Sequence, residues 1–233
     1  MVSLSSLRDR LAVAPAADRS LPLHPALGHL LPVARRGNVI GCAGAAASSL
    51  ALTVIARPSA EGVWVCVIGM PLLGVRAAHE HGVALERLVM VDPTDDHDDT
   101  RWGEIVAAAI DGFDVVLLGP ALHRVRPSVA RRLQARAQAR GAVLVVLHPD
   151  RGAFGADVVL CGDRIHWHGL GQGHGVVQQR RVEVTAAGRR LPRDRRADIV
   201  WPLTAHVPVV PGPAVAPEPP VTSDPVVPLR RTG

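Results

Sequence analysis

Between residues 38 and 147 the chain carries five short runs rich in Val, Ile and Leu, at 38–43 (NVIGCA), 63–68 (VWVCVI), 88–92, 114–118 and 142–147. Segments with helical spacing lie between them, at 46–56, 72–81, 102–110 and 128–140. Strands that read as continuous aliphatic runs, alternating with helices, belong to a sheet covered on both faces, because each crossover helix packs back onto the strands it connects. The predicted class is therefore α/β, with a mainly parallel central sheet and flanking helices. After residue 156 the pattern changes. Segments 157–160, 164–168 and 181–185 read as short strands separated by glycine turns, so the sheet is expected to finish in short antiparallel strands.

The ends of the chain read differently. Residues 3–12 (SLSSLRDRLA) have the pattern of a short amphipathic helix with serine caps, and 21–32 is broken into turns by proline and glycine. From His206 onward there are eight prolines and no amphipathic period. Such a stretch cannot bury enough apolar surface to fold alone, and is expected to be a disordered tail. The organisation that follows is an N-terminal helical segment (1–19), a core (20–204) and a Pro-rich tail (205–233).

Composition narrows the chemistry. Hydrophobic residues make up 48% of the 233 residues, but aromatics only 3%, with no tyrosine, so the core must be aliphatic. All 26 basic residues are arginine. A chain without lysine has no phosphate-loop lysine, Schiff-base lysine or lysine general base. Residues 1–120 hold nine arginines against thirteen acidic groups, net −4, whereas 121–233 hold seventeen against eight, net +9. A GC-rich genome explains a high arginine total but not this asymmetry, which points to a basic face for nucleic acid or an acidic partner. Cys42, Cys66 and Cys161 lie in apolar runs without CxxC spacing and read as buried free thiols. No apolar run reaches the ~18 residues of a membrane span, and Arg8, Asp9 and Arg10 stand where a signal peptide would be apolar. A soluble cytoplasmic protein is expected.

A buried strand, a small-residue loop and a helix form the context of a phosphate loop, and 38–56 has that order. Where G-x-x-x-x-G-K-[ST] would stand, the chain reads Gly44, Ala45, Ala46, Ala47, Ser48, Ser49, Leu50, Ala51. Ser49 replaces the second glycine, Leu50 the lysine that reaches the β- and γ-phosphates, and Ala51 the hydroxyl that holds Mg²⁺. Leu50 is expected to put an apolar side chain where the anion would sit. The strand 114–118 ends in Gly119, where a Walker B strand would present its metal-coordinating aspartate. No cofactor is expected at this site, and no catalytic residue is assigned.

These pieces, in this order, resemble the RecA superfamily over roughly residues 20–185. Segment 21–31 with 32–37 (PVARRG) is similar to the lead-in to the phosphate loop, 44–51 to the loop itself, 82–93 to the third-strand segment and 114–119 to the Walker B strand. Within that superfamily the chain most resembles the short ATPase-deficient branch that includes ImuA-type mutasome accessory proteins and the division inhibitor SulA. The degenerate loop, the size and the GC-rich composition put the actinobacterial ImuA-like form first. The resemblance implies a RecA-like fold and a non-catalytic accessory role in SOS-induced, error-prone translesion DNA synthesis. The implied partners are an ImuB-like inactive Y-family polymerase relative and an error-prone replicative-type polymerase, and the implied location is the cytoplasm, at the nucleoid after damage. The alternatives are a SulA-like inhibitor that binds the tubulin-like division protein, or an atypical RecA-like ATPase. Where RecA has long DNA-binding loops the chain has only 120–127 and 148–156, which argues against strand exchange.

Other constellations remain. Arg124, Arg126, Arg131, Arg132, Arg136 and Arg140 lie on or just before the 128–140 helix, and the stripe Arg132, Arg136, Arg140 has i, i+4, i+8 spacing. No acidic residue stands between Asp114 and Asp150 to neutralise them, which makes this helix the expected DNA-backbone or acidic-partner surface. Trp201, beside Pro202, reads as an exposed docking aromatic, with Arg230 and Arg231 as further partner contacts in the tail. His166, His168 and His174, near Cys161 and Asp163, lack a metal-ligand spacing and read as a hairpin with a glycine turn; no metal is expected. Asp95, Asp96, His97, Asp98 and Asp99 read as a solvated loop that favours the next helix N-terminus, and Trp64 and Trp102 as packing residues.

Overall fold

The computed structural model describes residues 20–92, 99–120, 125–148, 153–170 and 175–203. The expected N-terminal helix, most of the acidic loop, Arg124, His174 and the Pro-rich tail with Arg230 and Arg231 lie outside these residues.

Ten strands are described. β1 (Ser20–Pro22) and β2 (Val33–Arg35) form a small antiparallel pair. β3 (Val39–Ala43), β4 (Val65–Ile68), β5 (Leu88–Val91), β6 (Val115–Leu118), β7 (Val143–Leu147), β8 (Val158–Leu170), β9 (Gly175–Ala187) and β10 (Arg195–Trp201) make one sheet in the order β10-β9-β8-β3-β7-β6-β4-β5. The strands from β3 to β8 are parallel; β9 runs antiparallel to β8, and β10 antiparallel to β9. The helices are α1 (Ala47–Ala60), α2 (Val75–Glu80), α3 (Asp99–Gly112) and α4 (Pro127–Arg140).

The period of two in each central strand divides its side chains between two cores. Ile40 and Cys42 of β3, Val115 and Leu117 of β6 and Val143, Val145 and Leu147 of β7 pack with α1 on one face. Val39, Val116, Leu118, Leu144 and Val146 pack with α3 and α4 on the other. Helix α1 is apolar on nearly every side because Leu21, Leu23, Leu27 and Leu30, from β1 and the turn after it, cover the surface that the sheet does not. Helix α4 is amphipathic, burying Ala130, Leu133 and Ala137, and ends at Gly141, whose φ of +73° supplies the left-handed cap.

The mainly parallel sheet agrees with expectation, and its antiparallel end differs in detail. The short strands expected at 157–160 and 164–168 are one strand, β8, of 13 residues, paired with an equally long β9. The ladder between them is irregular between Gly162 and Arg164 and again between His168 and Leu170. Glycines that read as turns thus sit within or beside bulges in a continuous ribbon. β10 and the β1–β2 pair were not expected at all, because RRADIVW mixes charge into its alternation and β1–β2 is only three residues a side. Helix α3 begins at Asp99, inside the expected acidic loop, and α2 is confined to Val75–Glu80.

Candidate functional site

The chain leaves β3 through Gly44, whose φ of +79° few other residues adopt. A Cβ there would strike the Asp163 carboxylate and come within 2.6 Å of the Gly162 carbonyl oxygen. The loop is pressed onto β8: the Ala46 N–H donates to the Gly162 carbonyl at 3.1 Å, and Ala46 caps α1 without any side-chain hydrogen bond. Gly162 is tightly enclosed as well, since the Ala46 Cβ and Val182 Cγ1 stand 3.0 Å from where its Cβ would be, and Leu50 Cδ1 follows at 3.4 Å. Leu50 and Ala51 are fully buried. The expectation that Leu50 blocks the anion position is corrected: its side chain turns into the core beneath β8 and β9, because that face of α1 is a packing face. Ser48 is exposed and Ser49 half-buried.

Gly119 at the end of β6 donates its N–H to the Ile68 carbonyl at 2.8 Å. A Cβ at this position would collide with the Gly69 carbonyl oxygen and lie 2.6 Å from Met70 Cγ. The backbone leaving β4 therefore occupies the space into which an acidic side chain would have to project.

Beside α1, Arg180 of β9 stands opposite Trp167 of β8 and Trp201 of β10. Its guanidinium lies 4.9 Å from the Trp201 ring centroid and 5.7 Å from that of Trp167, within cation–π range, and donates to Ser49 Oγ at 2.5 Å. The Trp201 indole N–H donates to Thr53 Oγ1 at 3.3 Å, and the Thr53 hydroxyl to the Ser49 carbonyl at 2.7 Å. Trp201 is 4% exposed, so the reading of it as an exposed docking aromatic is corrected. It shares the inward face of β10 with Ile199, and without β10 that direction was not legible. The exposed tryptophan is Trp167, at 52%; its alternation with His166 and His168 was visible, but which face met the core was not.

His81, at the end of α2, lies against the same cluster, its ring 6.4 Å from that of Trp201. Its Nδ1 is 2.8 Å from the Ala77 carbonyl oxygen, and its Nε2 is buried without a hydrogen-bond partner among the described residues. Burial lowers its pKa and the Arg180 charge adds to that, against the opposing Ala77 bond and Glu80 charge.

The arginines of α4 are exposed as expected, but two members of the stripe, Arg136 and Arg140, share one carboxylate. Arg136 makes a two-pronged contact with Asp111 of α3, through Nε at 2.8 Å and through Nη2, and Arg140 Nε donates to the same carboxylate at 3.1 Å. The acid comes from the preceding helix, before the segment in which no acid occurs. Arg126 is exposed at the N-cap. Arg131 and Arg132 form no ion pair among the described residues and, with Ser128 and Ala135, line an open depression of about 590 Å³. They are the part of the expected basic surface that remains available to a polyanion.

Cys42 and Cys66 are buried, as expected, and burial pushes the Cys66 thiol up to about 12. Cys161 is half-buried and its thiol donates to Asp163 at 3.1 Å. Among the described residues no group of three or more His, Cys, Asp or Glu side chains is placed to hold a metal, and no helix is long and apolar enough to cross a membrane. Trp102 packs in the core between α3 and the sheet, and Arg87 lies 5.1 Å over the Trp64 ring.

The chain is a mixed α/β protein with an eight-stranded, mostly parallel sheet. It belongs to the family described as the MT3502 N-terminal domain, whose model matches residues 29–152. It is similar to the uncharacterized protein Rv3395c of Mycobacterium tuberculosis, with 36% identity over 153 residues, covering 63% of this chain and 70% of that protein. The family match contains the phosphate-loop position, Gly119 and α4, and stops before β8.

Proposed function

We propose that the chain is a non-catalytic, RecA-like accessory protein of the ImuA type, acting in SOS-induced, error-prone translesion DNA synthesis. In this reading it is a scaffold that binds an ImuB-like inactive Y-family polymerase relative and an error-prone replicative-type polymerase, in the cytoplasm and at the nucleoid after damage. The observation that carries the reading is the packing at the degenerate nucleotide position. Leu50 and Ala51 belong to the core, Gly44 and Ala46 are pressed onto Gly162, and the place of a side chain at Gly119 is taken by the Gly69 carbonyl. Charge compensation for a triphosphate and its metal needs a cationic side chain and a hydroxyl or carboxylate where these residues stand. The parallel sheet that ends antiparallel and the exposed Arg131 and Arg132 are consistent with it, and relatedness to a Mycobacterium tuberculosis protein accords with an actinobacterial form.

The test is co-purification of the full chain with a purified ImuB-like protein, after affinity capture from DNA-damaged cells. A stoichiometric complex is expected. Consistent failure to recover or reconstitute it overturns the reading. Inhibited polymerisation of the tubulin-like division protein replaces it with the division-inhibitor alternative, and micromolar ATP affinity in calorimetry replaces it with the ATPase alternative.

A further inference from the structure

β8 and β9 extend together as a ribbon in which every described residue from His166 to Leu170 and from Gly175 to Gln179 is exposed. Four large apolar side chains face water there: Trp167 at 52%, Leu170 at 56%, Val176 at 77% and Val177 at 46%. Exposed apolar groups concentrated at one place mark an interaction surface. The charge of the ribbon specifies the partner. From Arg164 to Val182 the sequence contains three arginines, three histidines and no acid. Arg164 pairs with Glu183 at 3.4 Å and Arg180 donates to Ser49, so Arg181 is the arginine that stays exposed without an ion pair among the described residues. The Arg180 guanidinium lies over one face of the Trp167 ring, while His166 pairs across the ladder with Arg181, and His168 with Gln179, on the opposite face of the ribbon.

We propose that this ribbon binds single-stranded nucleic acid. An exposed aromatic ring accepts an unpaired base by stacking, regardless of its identity, and the exposed Arg181, on the ribbon's other face, offers a contact to the phosphates as the strand passes over the ribbon. A half-exposed Trp167 favours a single strand over a duplex, whose bases are already stacked and paired. The apolar tip at Leu170, Val176 and Val177 suits contact with unstacked bases. The inference is independent of the translesion reading, since a scaffold that recruits polymerases need not touch nucleic acid through this ribbon.

The test uses the full chain and a fluorescein-labelled oligo-dT strand, read by anisotropy at several salt concentrations, with a duplex of matched length as comparison. The single strand is expected to bind more tightly than the duplex. Trp167→Ala is expected to weaken single-strand binding roughly tenfold or more, and Trp167→Phe to restore most of it. Arg181→Glu is expected to reduce the salt slope by about one phosphate contact. Circular dichroism and the unfolding midpoint should not change for the exposed Arg181→Glu, and quenching of tryptophan fluorescence by the strand gives a readout that needs no variant. Equal affinity of wild type, Trp167→Ala and Arg181→Glu for the single strand, tighter binding of duplex than of single strand, or absence of binding at low salt overturns the proposal.

Discussion

The buried carboxylate of Asp157 accepts the Val39 N–H at 2.9 Å, joining the lead-in to β8 to the first residue of β3. Its other oxygen accepts Arg189 Nε at 2.9 Å and Arg190 Nε at 3.2 Å. Burial alone would raise its pKa, but the Val39 amide and the two guanidiniums together outweigh burial and hold it below the usual carboxylate value.

Asp157→Ala should therefore cost about 2–3 kcal/mol in urea unfolding, mostly through the unsatisfied Val39 amide, because both arginines are solvent-screened. The pH dependence has a defined sign. A carboxylate whose native pKa lies below its unfolded value stabilises fully above about pH 4 and loses that contribution as pH falls through the native value. The gap in stability between wild type and Asp157→Ala should narrow on acidification within that window; a constant gap would contradict the assignment.

Gly119→Asp, which adds a carboxylate at the end of β6, should destabilise rather than create a metal site. Its Cβ meets the Gly69 carbonyl, and overpacking of this kind costs about 1–3 kcal/mol or more. Thermal unfolding with and without Mg²⁺ and ATP checks this, with a lowered Tm and no ligand-dependent recovery expected.

Asp111→Asn should change stability by no more than about 1 kcal/mol, since its pairs with Arg136 and Arg140 are at the surface. It should also free two guanidiniums beside Arg132. Binding of a polyanion such as heparin to the α4 face should tighten at low salt, and the gain should vanish at high salt.

His81 supplies a second pH response. Its native pKa is lowered, first by burial and then by Arg180, so stability is complete above about pH 6.5 and declines as pH falls through the native value. His81→Phe should flatten that limb, measured as unfolding midpoints across the range. A second half-buried imidazole, His24, shifts in the same direction through burial, Arg57 and His81, and should leave part of the slope in place.

The parallel strands and the main helices were legible because continuous aliphatic runs and helical spacing each report burial on a known number of sides. That Leu50, Ala51 and Gly119 carry no side-chain group for a phosphate or a metal was legible because that chemistry demands particular residue types. Direction was harder to read. Leu50 pointing into the core, Trp201 turning inward and Arg180 reaching Ser49 across 131 residues all depend on β9 and β10, strands whose glycines and charges hid their period. The neutralisation of Arg136 by Asp111 escaped notice because helix pairing, not sequence proximity, brings α3 and α4 together.

β3 hydrogen-bonds on one edge to β7 and on the other to β8, with Val39 opposite Leu144 and Ile40 opposite Val158. During synthesis the central strand therefore emerges with both edges unpaired, and neither ladder can close until more than a hundred further residues have left the ribosome. Pairings this distant in sequence close late and slowly, because loop entropy opposes them. A fragment limited to the family-matched residues 29–152 would keep one of those edges open, a template for association with other chains.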